Sequence, residues 1–311
     1  MNRPAAESFT ATSDQAERRL DRVLRGLFRD VPLGALMKAI RNGGVRLNGV
    51  RTSVDVRLSA GDVVSTPWTM VASSSSDPEH LAKQAKRPDR QLTTLFRSDD
   101  LWCVDKPAGL LSQPDRAGGD SLITRVWELL EWSRRDFKPA LIGRLDRNVS
   151  GVEAIAMNAP ALRALSETMR EGRVKKIYVA LVEGDTPDEG EVDVPLIKDT
   201  RRNFVRTAQA GEQGQDALTV FRKLSGDGRY SLLEVNLITG RPHQARVHLA
   251  SVGHPIVGDT KYGRRGAAVM RALMLHAHKI SFSPTACLPD GLRGLEVVSP
   301  LPDIFEKRGK V

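Results

Sequence analysis

Cysteine is almost missing from this 311-residue chain: Cys103 and Cys287 are the only two, too few for a disulfide framework or a Cys-rich zinc site. No apolar run is long enough to cross a bilayer. Residues 1–15 contain no apolar stretch of the kind that drives secretion, so a cytoplasmic location is expected. Acidic residues are in deficit, 38 against 47 Lys and Arg, and the resulting charge of +9 favours an acidic partner, nucleic acid being the commonest. The 40% hydrophobic content excludes general disorder, and the length suits two domains, each able to bury a core. No internal repeat at a fixed period is visible.

The positive charge is concentrated early. Between Arg18 and Arg57, ten bases stand against three acids. Residues 71–91 (VASSSSDPEHLAKQAKRPDRQ) are polar and lack apolar periodicity, as a linker does. The expected organisation is a disordered tail over 1–13, a small basic module over 14–68, a linker over 69–91 and a larger domain over 92–311.

Within the module, Asp14 and Glu17 form a capping-box-like helix start. Leu20, Val23, Leu24 and Leu27 then give the stripe of an amphipathic helix, with Arg18, Arg22, Arg25 and Arg29 on its opposite face. A second helix begins near Pro32, buries Leu33, Leu36, Met37 and Ile40, and stops at Gly43 or Gly44. An alternating segment with an Asn48-Gly49 hairpin signal and a Gly61-Asp62 turn follows. Helix, helix and short hairpin, with Arg19-Leu20-Asp21, Ile40-Arg41 and Gly44-Val45-Arg46-Leu47-Asn48-Gly49 in order, resembles the S4 RNA-binding module. The resemblance implies backbone contacts to structured RNA from the basic face, with Arg41 and Arg46 beside the four helical arginines.

In the larger domain, strands are expected at Leu101–Val104, Val192–Leu196, Ala217–Leu224 and Tyr230–Ile238. One helix, capped by Asp120, would bury Leu122, Val126, Leu129 and Leu130, and a second would span Ala161–Arg170. Cys103 reads as a buried strand residue. Three stretches carry the chemistry. Gly143-Arg144-Leu145-Asp146-Arg147-Asn148-Val149-Ser150-Gly151 sets one carboxylate between two arginines in a loop. Lys175-Lys176-Ile177-Tyr178 reads as a strand presenting one tyrosine. Gly240-Arg241-Pro242-His243-Gln244-Ala245-Arg246-Val247-His248 leads from a turn into a short helix and continues to Gly258-Asp259. His243, His248 and His254 have the wrong spacing for a metal: on a helix the first two lie about 140° apart, and on a strand they face opposite sides. They read as hydrogen-bonding residues of the fold.

Together these stretches resemble the RluA-type pseudouridine synthases over residues 101–305, through RLD-x-x-x-SG, K-x-Y and G-R-x-H-Q-x-R-V-H-x-A-x-x-G-H-P-x-x-GD. The S4-like module in front points to the large-ribosomal-subunit branch, RluC/RluD-like. The resemblance implies an α+β fold with a mixed, mostly antiparallel sheet. It also implies isomerisation of uridine to pseudouridine in RNA, large-subunit ribosomal RNA first, free or pre-ribosomal, by a monomer without cofactor or metal. By the family pattern Asp146 is the nucleophile, Arg246 its partner and Tyr178 the ring against which the base turns. Tyr178 is also a candidate for taking the C5 proton. Arg144 and Arg147 are candidates for phosphate contacts, and Lys106 for a structural role. Three departures stand out: Gly143 where the family usually has His, Val149 for a usual threonine, and Glu153 at a position normally apolar. Val149 and Glu153 are the support for a rival reading, an RNA-binding ribosome-assembly factor with impaired catalysis, against which the intact Asp146 speaks. A third reading, an RNA-directed hydrolase built on the histidines, fails on their spacing.

Overall fold

The computed structural model describes residues 7–28, 31–68, 91–115, 118–132, 137–199, 202, 204–263 and 272–305. Most of the expected linker, and Arg29, lie outside them. The chain divides into two compact units. The first comprises Met1–Gln91 with Val126–Ala140 and Ala156–Arg163; the second comprises Leu92–Arg125, Leu141–Ile155 and Ala164–Val311.

In the first unit, helices α1 (Leu20–Leu27) and α2 (Leu33–Arg41) cover a four-stranded sheet with the order β1-β4-β2-β3. Its strands are β1 (Glu7–Thr10), β2 (Arg46–Leu47), β3 (Val50–Arg51) and β4 (Val63–Thr66). The apolar stripe is the reason for the packing: Leu20, Leu24, Leu36, Ile40, Leu58 and Val64 form one buried cluster. Asn48 and Gly49 both have positive φ (51° and 79°), the backbone a two-residue hairpin turn demands.

Four expectations for this unit need correction. Residues 7–10 are not a disordered tail: they pair antiparallel with β4 from Glu7↔Thr66 to Thr10↔Val63. The Asp14/Glu17 pattern does not start the helix. Glu17 has φ 62°, α1 begins at Leu20, and Asp14 Oδ1 accepts the amide N–H of Ala159 instead. The four-arginine helical stripe is therefore shorter than expected. Arg22 and Arg25 are exposed on α1, while Arg18 is exposed in the turn before it. Leu33 is largely exposed rather than buried.

The second unit is built on a ten-stranded sheet whose main path is β10-β13-β14-β9-β15-β8-β6-β5. The strands that matter below are β5 (Thr93–Arg97), β6 (Leu101–Lys106), β8 (Ser150–Ala156), β9 (Val174–Glu183), β14 (Tyr230–Leu237) and β15 (Leu275–Phe282). Also on that path are β10 (Glu189–Asp193) and β13 (Leu218–Gly226). β7 (Ala140–Leu141) and β16 (Glu296–Val298) pair off it. β15 pairs antiparallel with β9 and parallel with β8. The fold is α+β, as expected. A separate hairpin joins β11 (Leu196–Asp199) and β12 (Phe204–Thr207).

The expected strand Val192–Leu196 is broken, with β10 ending at Asp193 and β11 starting at Leu196. Pro195 has no N–H to continue the ladder, and the Val194 carbonyl lies 2.9 Å from His248 Nε2. Helix α3 (Leu122–Leu129) is not capped by Asp120, whose carboxylate grips Arg125; the Ser121 hydroxyl takes the Thr124 N–H. Leu129 is exposed. Helix α4 (Ala159–Arg170) matches its expected position, and Cys103 is buried in β6.

Candidate active site

Asp146 sits in the loop that leads into β8. The Arg147 carbonyl accepts the Gly109 amide at 2.8 Å and Lys106 Nζ at 3.2 Å, and the Asp146 carbonyl accepts the Val149 amide at 3.1 Å. Immediately after the loop, β8 is locked to β15 through Ser150↔His276 and Gly151↔Ala277. Gly151 has φ 114°, and a Cβ there would lie 2.2 Å from the Ala277 carbonyl oxygen, so only glycine lets the loop enter the strand so close to its neighbour.

Arg246 comes from α5 (Gln244–Ser251). The buried Gln244 side chain pins the helix start: its oxygen accepts the Thr239 hydroxyl and the Arg241 amide, and its nitrogen donates to Leu218 O and Thr219 Oγ1. Within the first turn, the Arg246 guanidinium bridges two carboxylates. Nε and Nη2 donate to Asp259 at 2.8 and 2.9 Å, and Nη1 donates to Asp146 Oδ2 at 2.7 Å. Burial works against the Arg246 charge, but the bonds and charge of Asp259, then of Asp146, hold its pKa above the ordinary arginine value. Asp259 is likewise opposed by burial and held below the usual carboxylate range by Arg246 and by the Lys261 and Tyr262 amides.

Tyr178 lies on β9, in register with Val235 and Ala277, and lines a cavity with Gly143, Arg144, Leu145, Lys176 and Ala277. Burial, then the charges of Asp146 and Glu153, raise its phenol well above the ordinary tyrosine value. The ring is thus a neutral flat surface and a poor proton acceptor at neutral pH, which weakens the expectation that it takes a proton from C5.

Further residues surround this pair, and the three histidines of the motif hydrogen-bond within the fold as expected. His243 precedes α5 in the left-handed region (φ 56°), its Nδ1 2.6 Å from the Tyr262 hydroxyl and its Nε2 3.8 Å from Asp146 Oδ2. Burial, with Arg246 and Lys261, lowers its pKa against the pull of Asp146, so the imidazole stands neutral. His248 bonds Thr219 and the Val194 carbonyl, and His254 bonds the Glu183 carbonyl. Among the described residues, no group of three or more His, Cys, Asp or Glu is placed to hold a metal ion. Asp259 was visible only as the end of the third motif. Lys106, fully buried, donates to the carbonyls of Pro107, Leu110 and Arg147.

Asp146 and Arg246 are therefore in direct contact, with Tyr178 within reach of the Asp146 charge. Arg144 and Arg147 are exposed on either side of Asp146. Arg18, Arg22, Arg25, Arg41 and Arg46 are exposed in the first unit. An ionised carboxylate on a fixed guanidinium, beside a buried aromatic face, can attack an electrophilic sugar carbon while a flat base turns against the ring.

Residues 100–251 match the RNA pseudouridylate synthase family. Ribosomal large subunit pseudouridine synthase C of Escherichia coli (strain K12) is 32% identical over 292 residues, covering 90% of this chain and 89% of the relative. The protein of that name from Haemophilus ducreyi is 34% identical over 285 residues, covering 88% and 87%. Among solved structures, human RNA Pseudouridylate Synthase Domain Containing 4 superimposes with a TM-score of 0.58 at 25% identity, over 74% of this chain and 95% of that one. Human RNA Pseudouridylate Synthase Domain Containing 1 has the same fold, with a TM-score of 0.58 at 24% identity, over 70% of this chain and 86% of that one.

Proposed function

The chain belongs to the RNA pseudouridylate synthase family, and from that footing we propose that it isomerises uridines of large-subunit ribosomal RNA, with Asp146 as nucleophile, Arg246 as its partner and Tyr178 as the stacking surface. The observation that carries this reading is the 2.7 Å bond from Arg246 Nη1 to Asp146 Oδ2, made by a guanidinium already fixed on the buried Asp259. The target uridine must leave its stack, since no side chain reaches its sugar carbon inside a helix. Asp146 then bonds to C1′ as the C1′–N1 bond breaks. The freed uracil turns against Tyr178, C5 bonds to C1′ as the Asp146–C1′ bond breaks and restores the carboxylate, the C5 proton passes to water and N1 takes one, so the base is isomerised without net loss of atoms.

Exposed Arg18, Arg22, Arg25, Arg41 and Arg46 suit phosphate contacts that position the RNA, with Arg144 and Arg147 doing the same at the loop. The substrate is free or pre-ribosomal RNA, the active form a monomer and the compartment the cytoplasm. The assembly-factor reading has little left to support it: Val149 is buried as an apolar residue, and Glu153 has hydrogen-bonding partners rather than a misplaced charge.

Replacing Asp146 by Asn keeps the shape and removes the anionic nucleophile. Pseudouridine formation in transcribed large-subunit RNA should vanish, while RNA affinity stays within about threefold. Mapping pseudouridines in cells with and without the gene checks the substrate. A variant that still isomerises at a comparable rate would remove Asp146 from the chemistry.

A further inference from the structure

Glu153 is the one residue of the motif region whose side chain contradicts its surroundings. It lies on β8 in an otherwise apolar buried run, only 4% exposed. A lone carboxylate there would carry a large desolvation cost, so what it touches matters. Its Oε1 accepts the Leu145 N–H at 3.3 Å, and its Oε2 lies 2.9 Å from the Ser112 hydroxyl. Ser112 Oγ also lies 2.8 Å from the Leu145 carbonyl and 3.2 Å from the Leu145 amide. Both polar groups of Leu145, the residue before Asp146, are thus engaged by two buried side chains. On the far side of Asp146, Lys106 and Gly109 hold the Arg147 carbonyl. The carboxylate is bracketed.

A hydroxyl has one proton, and Ser112 faces two acceptors, the Leu145 carbonyl and Glu153. A proton on Glu153 completes the set: the carboxyl donates to Ser112, Ser112 to Leu145 O, and Leu145 N–H to the other carboxyl oxygen. Burial pushes the Glu153 pKa up to about 7, against Ser112, Lys106, the Leu145 amide and Lys176, so that proton is present on much of the population near neutrality. Lys176 passes close to Gly143, where a Cβ would lie 3.2 Å from its Nζ.

We propose that Glu153 is a positioning residue for Asp146: with Ser112 it fixes the Leu145 peptide and so aims the neighbouring carboxylate. The proposal rests on the reading of Asp146 as nucleophile.

The test is turnover of transcribed large-subunit RNA by the full chain carrying Glu153→Leu, Glu153→Gln, Ser112→Ala, or Ser112→Ala with Glu153→Leu. Loss of aim costs rate rather than binding, so Glu153→Leu and Ser112→Ala should each lower kcat roughly 10- to 100-fold with KM for RNA within about twofold. Glu153→Gln keeps an oxygen for Leu145 and an N–H for Ser112, and should retain kcat within about threefold of wild type. The double variant should be no worse than the poorer single, because both act through one peptide. A residue that merely fills the core would show neither the amide rescue nor the kcat-only loss. Wild-type kcat in a folded Glu153→Leu or Ser112→Ala protein overturns the proposal, as does a Glu153→Gln variant as impaired as Glu153→Leu. If Glu153→Leu does not fold, Ser112→Ala and Glu153→Gln decide by the same criteria. Failure of the underlying enzyme reading looks different: wild type itself would form no pseudouridine.

Discussion

Arg246 serves two carboxylates, and that decides which substitution can test its part in the reaction. Alanine would strand Asp259, whose side chain is fully buried, and breaking such a pair costs about 3–5 kcal/mol, so lost activity would be confounded with lost fold. Lysine keeps the charge but not the fork. It can answer Asp259 or Asp146, not both at 2.7–2.9 Å. Arg246→Lys should therefore remain folded by circular dichroism while kcat falls roughly 100-fold, the cost of a carboxylate no longer held in line. Wild-type kcat in the lysine variant would mean that charge alone suffices and that the fork serves only the fold. His243, 3.8 Å from the same carboxylate oxygen, adds a neutral ring to this shell rather than a second cation.

At the level of elements, the site depends on the parallel seam between β8 and β15, which carries the Asp146 loop on one strand and the partner of Tyr178 on the other. Gly151→Ala places a methyl 2.2 Å from the Ala277 oxygen at φ 114°, so the seam must open. The combined strain and clash should cost about 3 kcal/mol, enough to lower the melting temperature by roughly 6–12 °C. An unchanged melting curve would show that the seam yields easily. The same seam illustrates where sequence reading stops. Local patterns disclosed the stripe of α1, the Asn48-Gly49 turn and helix α5, because period and turn chemistry are local. Strand β1 escaped because ESFT becomes a strand only by pairing with β4, fifty-odd residues away. The Asp14/Glu17 cap misled because Glu17 turns left-handed before the helix begins. The motifs pointed to Asp146, Tyr178 and Arg246, and the fold brings Arg246 onto Asp146 with Tyr178 within reach of its charge. Glu153 looked like an anomaly because Ser112, Leu145, Lys106 and Lys176 come from separate segments that only the folded sheet gathers.

Over the whole molecule, the excess of nine positive charges is unevenly used. The buried arginine of the site is spent on carboxylates, whereas Arg22 and Arg25 stand exposed on α1, opposite the buried Leu20, Val23 and Leu24. Beyond the favourable place of Arg25 in the last turn of α1, this exposed face packs against no core, which suits its charge to phosphate. Reversing Arg22 and Arg25 to Glu leaves the apolar face intact, and circular dichroism should show an unchanged fold. RNA binding should weaken, and the log–log salt dependence should flatten by roughly 0.7–0.9 for each phosphate that is no longer neutralised. The choice among RNA sequences should persist, since binding to phosphate carries little base information. The control is Asp146→Asn, which should leave the salt slope where it was while abolishing isomerisation. If the double reversal leaves both affinity and slope unchanged in a folded protein, α1 is only a solvated face. The unit that holds Asp146 would then have to find its RNA through its own charges, with Arg144 and Arg147 the first to examine.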